Sequence, residues 1–535
     1  GAGVTVGVYD DGFQHSHPDL SANYDASKHF VHITGEAAYD PAPLSSGDAH
    51  GTAVGGLIGA VGDNALGVTG LGFEATLTGV NYLEDIQRFP SNRSWSNSAD
   101  QNWFIDRIEK AFEWAGNFDI MNNSWGSVAL YDDTYAFWDN LTIDAYQEIH
   151  ETGRGNLGTL VLQAAGNDNT NAVGELTNAS RFNVSIAATD DDGDAESYTS
   201  WGPGILIAAP AGAVTTDLTG NDGYSGSDYT YSFNGTSAAT PVTAGVVSLI
   251  LDANEDLGWR DVQNILAESA SLTGSNYGAP ATGYEDSSWG NTGSSNWNSG
   301  GHAFNLSYGY GLVDGYAAVR MAEVWGEFYA SAYTSANEVQ ASGTYSGGAV
   351  AIPNSSSTDL DLTVATDIEV ETAIVSVSLS HEHSGDLTLT LVSPSGAEMP
   401  LFDQELVYNY SGTQPSSGIY YDLWNGEPIY RDISWLTETE YSFFETTTPW
   451  DFEVTGLRGY DSAGTWSLRA GDVDSDGDTG SIGAFSIEFF GAPKTTDDVH
   501  TLTTDFQSMK AVDAGRGTIA DSDGGTDWLN AVSIY

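Results

Sequence analysis

The sequence predicts an α/β unit, with a parallel sheet covered by helices on both faces, followed by an all-β sandwich. Strand-like apolar runs alternate with helical patterns from residue 1 to about 330. Strands separated by helices imply crossovers and hence a parallel sheet. From about residue 340 helical periodicity vanishes, and short β-branched runs follow one another with Gly, Asp and Ser between them. A length of 535 residues also exceeds one ordinary domain.

The first strand is Val4–Val8, a buried-type run that ends in Asp10-Asp11-Gly12. The stretch Asp48-Ala49-His50-Gly51-Thr52 places a histidine at the head of a small-residue helix, Gly51–Ala60. Helical patterns recur at Trp103–Ala115, Thr142–Glu151, Ser237–Leu251 and Val262–Ser271, and strand-like runs at Thr159–Ala165, Val184–Ala187 and Ile205–Ala209. The stretch 272–305, rich in Gly, Ser, Asn and Trp, has no period and reads as loop. Tyr308–Asp314 then opens a short apolar helix. Thr372–Ser380, Asp386–Val392 and Ser481–Phe490 are the clearest sandwich strands. The expected units are 1–335, 336–493 and an acidic segment, 494–535. No long Pro- or Ser-rich tether separates the first two, so the sandwich is expected to support its neighbour.

The chain carries 15 basic and 74 acidic residues, a formal charge of −59. It will not bind nucleic acid by neutralising phosphates; it should stay soluble and attract cations. There is no cysteine, so no disulfide staples the fold. A hydrophobic fraction of 40%, with many Trp and Tyr, excludes disorder. No apolar run suggests a membrane span. The chain begins at Gly1 without Met, as expected of a processed product.

Chemistry centres on Asn234-Gly235-Thr236-Ser237-Ala238-Ala239-Thr240-Pro241. A turn through Gly235 delivers the Ser237 hydroxyl to the first turn of an apolar helix, where free N–H groups favour negative charge. That suits a nucleophile, and equally an ordinary helix cap. His50 and Asp10 taken singly read as caps too. Together the three supply nucleophile, general base and orienting carboxylate, in the chain order Asp, His, Ser.

These motifs resemble the subtilase superfamily. The doubled acid Asp10-Asp11 and His17-Pro18-Asp19-Leu20 are similar to its kexin-like branch. His383-Ser384-Gly385-Asp386-Leu387 through Gly396, Gly464–Leu468 and Gly480–Ile487 resemble the P domain that follows kexin-like catalytic domains. The resemblance implies a subtilisin-like fold with a jelly-roll-like P domain. It implies a secreted, extracellular, bacterial serine endopeptidase, a monomer acting on proteins or peptides through an acyl-enzyme on Ser237. Asn167, after the strand ending Gln163-Ala164-Ala165-Gly166, becomes the oxyanion donor beside the Ser237 N–H. Ser124, Trp125 and Gly126 become the strand that pairs with substrate.

The resemblance further implies Ca²⁺, held by Asp19, the Asn64 amide oxygen and the carbonyls of Val61, Leu66 and Val68. Asp472, Asp474, Asp476 and Asp478 resemble half of an EF-hand loop and form a second candidate calcium site, although the closing Glu is missing. Asp11, Asp48, Glu84 and Asp85 match or neighbour acids that favour a basic residue at the second subsite. At the first subsite the family's acids fall on Ala129 and near Gly174, with Glu175 adjacent. The run around Asp521–Asp527 resembles the lead-in to a calcium-binding repeat region; a plain acidic linker reads as well.

Two other classes compete. A catalytically silent scaffold serving as a binding module would not react with a fluorophosphonate. An esterase would call for G-x-S-x-G, where this chain has Gly235-Thr236-Ser237-Ala238-Ala239.

Overall fold

The computed structural model describes the chain except residues 95, 127–130, 132–135, 293–295, 405–419, 422–427, 430–443, 446–448, 476, 520–523 and 535; for 136–140, 292, 420–421, 428–429 and 444–445 it describes the backbone alone. Asp476, Ala129 and Asp521 therefore lie outside the described residues.

The N-terminal half carries β1 (Thr5–Asp10), α1 (His50–Gly59), β2 (Thr76–Asn81), α2 (Ser98–Glu113), β3 (Ile120–Asn123), α3 (Ala136–Asn156), β4 (Leu160–Ala164), β5 (Val184–Thr189) and β6 (Ile205–Pro210). The strands form one parallel sheet in the order β2-β1-β3-β4-β5-β6. Nearly every strand residue is buried, as expected when helices cover both faces. A hairpin of β7 (Ala213–Thr216) and β8 (Tyr229–Phe233) leads into α4 (Thr236–Ala253). That helix is long and apolar enough to cross a membrane by length and composition, which the sequence reading did not anticipate; here it is mostly buried, packed on β3–β6 and on α1. α5 (Trp259–Ser269) follows. The stretch expected to be loop contains a short hairpin, β9 (Gly290–Thr292) and β10 (His302–Phe304), and α6 (Gly315–Phe328) closes the half.

The sandwich is built from β11 (Val339–Thr344), β12 (Val350–Ile352), β13 (Ser357–Val364), β14 (Ile368–His381), β15 (Leu387–Val392), β16 (Glu398–Asp403), the short pieces β17 (Tyr420–Tyr421), β18 (Pro428–Ile429) and β19 (Phe444–Glu445), then β20 (Trp450–Val454), β21 (Gly464–Asp472) and β22 (Gly480–Pro493). One sheet runs β11-β22-β14-β19, with β12 also on β22 and β20 on β14; the other runs β13-β21-β15-β16. Alternate residues of β13, β14 and β15 are buried, as one-sided strands require. Trp466, Leu389, Val375, Phe452 and Ile487 fill the space between the sheets.

The two halves share buried polar contacts. Arg260 on α5 forks onto Glu371 of β14 at 2.6 and 2.9 Å. Trp450 donates its indole N–H to the Val173 carbonyl at 3.2 Å, and the Asn171 amide donates to the Leu401 carbonyl at 2.8 Å. The segment after 494 returns to the first half through β23 (Val499–Thr501), α7 (Phe506–Val512) and β24 (Trp528–Asn530). There the buried Arg516 guanidinium donates to the carbonyls of Asn298, Gly300 and Gly301.

Candidate active site

Open parallel sheets place functional groups beyond the carboxyl ends of their strands. β1 ends at Asp10, and α1 begins at His50. His50 Nδ1 lies 2.9 and 3.1 Å from the two Asp10 carboxylate oxygens. The neighbouring Asp11 carboxylate instead accepts the backbone N–H groups of His50, at 3.1 Å, and Gly51, at 2.8 Å. The doubled acid thus divides its work: Asp10 orients the ring, and Asp11 caps the helix that carries it. Burial pushes the Asp11 carboxyl up to about 8, with repulsion from Asp10 adding to it and the His50 charge and the capping N–H groups opposing. For His50, burial favours the neutral ring, but the Asp10 charge and hydrogen bond and the Asp11 charge outweigh it and lift the imidazole to about 9.

Ser237 enters on the first turn of α4. Gly235 precedes the helix at φ 86°, a left-handed conformation that glycine adopts without steric cost. The Ser237 hydroxyl donates to the Ser124 carbonyl at 2.9 Å. Asn167 stands at the exposed end of the loop after β4. Its amide oxygen accepts the Thr236 N–H at 2.8 Å and the Thr236 hydroxyl at 3.1 Å. Its Nδ2 has no acceptor among the described residues and lies beside Gly235. Asp10, His50, Asn167 and Ser237 therefore meet at one end of the sheet.

Ser124, Trp125 and Gly126 continue directly from β3. The Trp125 indole N–H donates to the Tyr9 carbonyl at 2.8 Å, and its ring stacks on Tyr82. The Trp125 carbonyl accepts from the Gln163 amide. Of the acids expected at the second subsite, Asp48 is buried and holds its own turn, accepting the N–H groups of Leu44 and Ser45 and the Ser45 hydroxyl. Glu84 pairs with Arg88, and Asp85 lies 3.9 Å from Arg107. Glu84 also feels the Asp48 charge; burial first and that repulsion next raise its carboxyl. Asp11, Asp48, Glu84 and Asp85 thus all have partners within the chain.

The expected calcium loop wraps Asp19. The buried Asp19 carboxylate accepts the Asn64 Nδ2 at 2.5 Å and the Val68 N–H at 2.9 Å. Asp63 and Ala65 take positive φ, which bends 61–68 tightly around it. Among the described residues, no hydrogen bond reaches the carbonyl oxygens of Val61, Leu66 or Val68. A carboxylate and free carbonyls are a hard-oxygen donor set that fits calcium. Asn64 presents its nitrogen to Asp19 and its oxygen to the Leu66 N–H, 2.8 Å away. The acidic run in the sandwich is divided. Asp472 turns inward and caps the N–H groups of Ser355 and Asp474, Asp474 caps Ser475, and Asp478 joins His383 and Asp386.

Two contributors escaped the sequence reading. Thr236 fixes the Asn167 amide, and the Tyr198 hydroxyl accepts the Gly235 N–H at 3.0 Å. A threonine immediately before Ser237 was visible as part of the motif; nothing local marked Tyr198. Glu175 sits closer to the site than its place in the chain suggested: a Cβ at Gly126 would lie 2.9 Å from its carboxylate.

The profile of the subtilase family matches residues 1–311, and that of the proprotein convertase P-domain matches residues 370–416. An extracellular serine protease of Aeromonas sobria is 31% identical over 368 residues, spanning 60% of this chain and 57% of that protein. Furin-1 of Xenopus laevis is 28% identical over 351 residues, 61% of this chain and 38% of its own length. The matched region is thus under two thirds of each relative. The solved Aeromonas sobria serine protease, in complex with the chaperone ORF2, superposes with a TM-score of 0.69 at 24% identity, over 92% of this chain and 88% of that one; this likeness shows the fold. The parallel sheet with its covering helices is the subtilisin-like α/β fold, the sandwich after it is a P-domain, and the chain belongs to the subtilase family.

Proposed function

We propose that this chain is a secreted serine endopeptidase that works through an acyl-enzyme on Ser237. The observation that carries the reading is the meeting of the Asp10–His50 pair, the anchored Asn167 amide and Ser237 at the carboxyl end of one sheet. Ser237 Oγ attacks the peptide carbonyl carbon while its proton passes to His50 Nε2. Asp10 stabilises the imidazolium. The carbonyl oxygen gains the negative charge and is held by Asn167 Nδ2 and the Ser237 N–H. Collapse expels the amine, which takes the proton from His50, and water then releases the acyl group by the same steps in reverse.

The substrate runs as an added strand along 124–126. Successive backbone groups of a strand alternate in direction. The Trp125 carbonyl turns inward to Gln163, leaving those of Ser124 and Gly126 for the groove. In the free enzyme the Ser237 hydroxyl takes the Ser124 carbonyl. A substrate N–H takes its place and frees the hydroxyl for His50. Asp19 and the free carbonyls of the 61–68 loop would hold calcium, which would brace the segment after β1 against α1.

Specificity is basic at the second position, resting on Asp48 and Glu84 more than on Asp11. Burial weakens the charge of Asp11 near neutral pH, and Arg88 tempers that of Glu84. At the first position, Glu175 against Gly126 favours a moderately basic side chain. A fluorophosphonate probe tests the central reading. It should label the wild-type chain at Ser237 and fail on Ser237→Ala. A folded wild-type chain that does not react would leave a silent scaffold instead. Library profiling of cleavage tests the subsites: Lys and Arg should be enriched at the second position, and Glu175→Gln should flatten the first.

A further inference from the structure

We propose that one pole of the β-sandwich binds a divalent metal ion of the zinc class through His383, Asp386 and Asp478. This goes beyond the catalytic reading and differs from the calcium expected on the acidic run.

Three crossovers join the two sheets of the sandwich at this pole; one, from β12 to β13, runs beside Asp472, and the other two carry the cluster. The chain leaves β14 at His381 and enters β15 of the other sheet at Leu387; it leaves β21 at Asp472 and returns to β22 at Gly480. The crossovers touch: the Val473 N–H donates to the Asp386 carbonyl at 2.9 Å, and the Thr479 N–H to the Glu382 carboxylate at 2.7 Å. His383 and Asp386 stand on one crossover and Asp478 on the other. Their ligand atoms all lie within 4.8 Å of one another.

Hydrogen bonding does not account for two of the three ligand atoms. His383 Nδ1 and Asp386 Oδ2 face each other at 3.0 Å, yet neither atom has a hydrogen-bond partner in the structure. Asp386 is 7% exposed. A buried carboxylate oxygen without a donor is costly, and a second carboxylate beside it adds repulsion. A cation held between the three groups would satisfy His383 Nδ1 and Asp386 Oδ2 and offset the repulsion between the carboxylates. The His383 side chain is 31% exposed, so an ion can enter from solvent.

A second pair stands behind this one. His381, 1% exposed, points Nε2 at Asp472 Oδ2, 3.4 Å away, and those atoms too lack hydrogen bonds. His381 Nδ1 contacts both the carbonyl and the N–H of His383, at 2.7 and 3.2 Å. The pair therefore fixes the backbone from which His383 projects, a supporting role that metal sites commonly use.

The donors decide the metal. One imidazole and two carboxylates suit zinc, whose bonds of about 2.0–2.2 Å the cluster reaches by a small contraction. Calcium takes about six to eight oxygens and has no use for the imidazole. Three protein ligands leave a position for water. Bound there, the ion would tie the β14–β15 crossover to the β21–β22 crossover and so brace the pole at which the chain passes between the sheets.

The test uses the full chain in the Ser237→Ala background, which cannot digest itself. It is stripped with chelator, refilled with calcium, and titrated with zinc alone. We expect one equivalent of zinc by calorimetry and elemental analysis, a higher thermal midpoint, and, with cobalt as stand-in, visible d–d absorption. His383→Ala and Asp478→Asn should abolish that equivalent, and Asp472→Asn should weaken it by about 10–100-fold through loss of support. Asp478 lies in a crossover outside any strand, so its variant should keep the calcium-loaded midpoint of the parent. Absence of zinc uptake, uptake indifferent to His383→Ala and Asp478→Asn, or displacement of the zinc by calcium would each overturn the proposal.

Discussion

Asn167 offers its amide oxygen to the Thr236 N–H at 2.8 Å, so its nitrogen is the end left without a bond to Thr236. The residue before the proposed nucleophile thereby orients the proposed oxyanion donor. Asn167→Ala should lower kcat by about 10²–10³, the effect of losing one such donor. Thr236→Val keeps the backbone bond and removes only the hydroxyl bond at 3.1 Å. A neutral hydrogen bond contributes about 1 kcal/mol, so roughly a fivefold loss of kcat is expected, with KM little changed. Steady-state kinetics decide the matter; a Thr236→Val loss as large as that of Asn167→Ala would mean that Thr236 touches substrate directly.

The pH profile should be alkaline. His50 serves as base only when neutral, and its pKa is lifted to about 9 because Asp10 and Asp11 outweigh burial. Accordingly kcat/KM should climb as pH rises through that range, well above where an ordinary histidine titrates. Asp11→Asn removes one charge that stabilises the imidazolium, so the rising limb should move to lower pH. A limb that stays in place in Asp11→Asn would show that Asp10 alone sets it.

Chelation should soften the protein. If calcium binds the Asp19 loop, calcium at about a hundred times its Kd adds about 2.7 kcal/mol to stability. Thermal scans with calcium and with chelator should differ accordingly, and Asp19→Ala should erase the difference whatever its own midpoint. Identical scans for the wild-type chain would dispose of the site.

Arg260 and Glu371 form a buried, forked ion pair across the two halves. Removing one partner leaves a buried charge alone, which costs about 3–5 kcal/mol. Arg260→Met should therefore lower stability by that order in guanidinium unfolding. The double variant Arg260→Met with Glu371→Leu should recover much of the loss, because neither charge then remains. Equal losses in both would point to the other Arg260 contacts, with the Thr334 carbonyl and Asn337, as the reason.

The residues of the proposed catalytic set could be picked out because each sits at a local boundary with its own signature: a strand end for Asp10, a helix start for His50, a glycine turn for Ser237. The covered parallel sheet followed from alternation of element types, although β2 and β3 are too short or too mixed in character to announce themselves. The duties of Asp11 and Asp48 were not legible. Both acids lie near the site in sequence, but their backbone partners are set by the turn of the chain, and in the case of Asp11 by a helix 39 positions away. The hairpin within 272–305 was hidden by its polar composition. The same holds for the return of the final segment. A single arginine, Arg516, anchors it to carbonyls that no periodic pattern could foretell.

Trp450 and Leu401, both on the sandwich, grip Val173 and Asn171, and two residues further on comes Glu175. The loop proposed to border the first subsite is thus mounted on the second half of the molecule as much as on the first. Chimeras would feel this. Joining the first half to the sandwich of a relative would preserve the reacting groups, which rest on β1, α1 and α4, yet leave the loop on a foreign mount. Selectivity in such a hybrid belongs to the pairing of halves, so a library of swapped sandwiches is a route to new cleavage preferences that leaves every catalytic residue untouched.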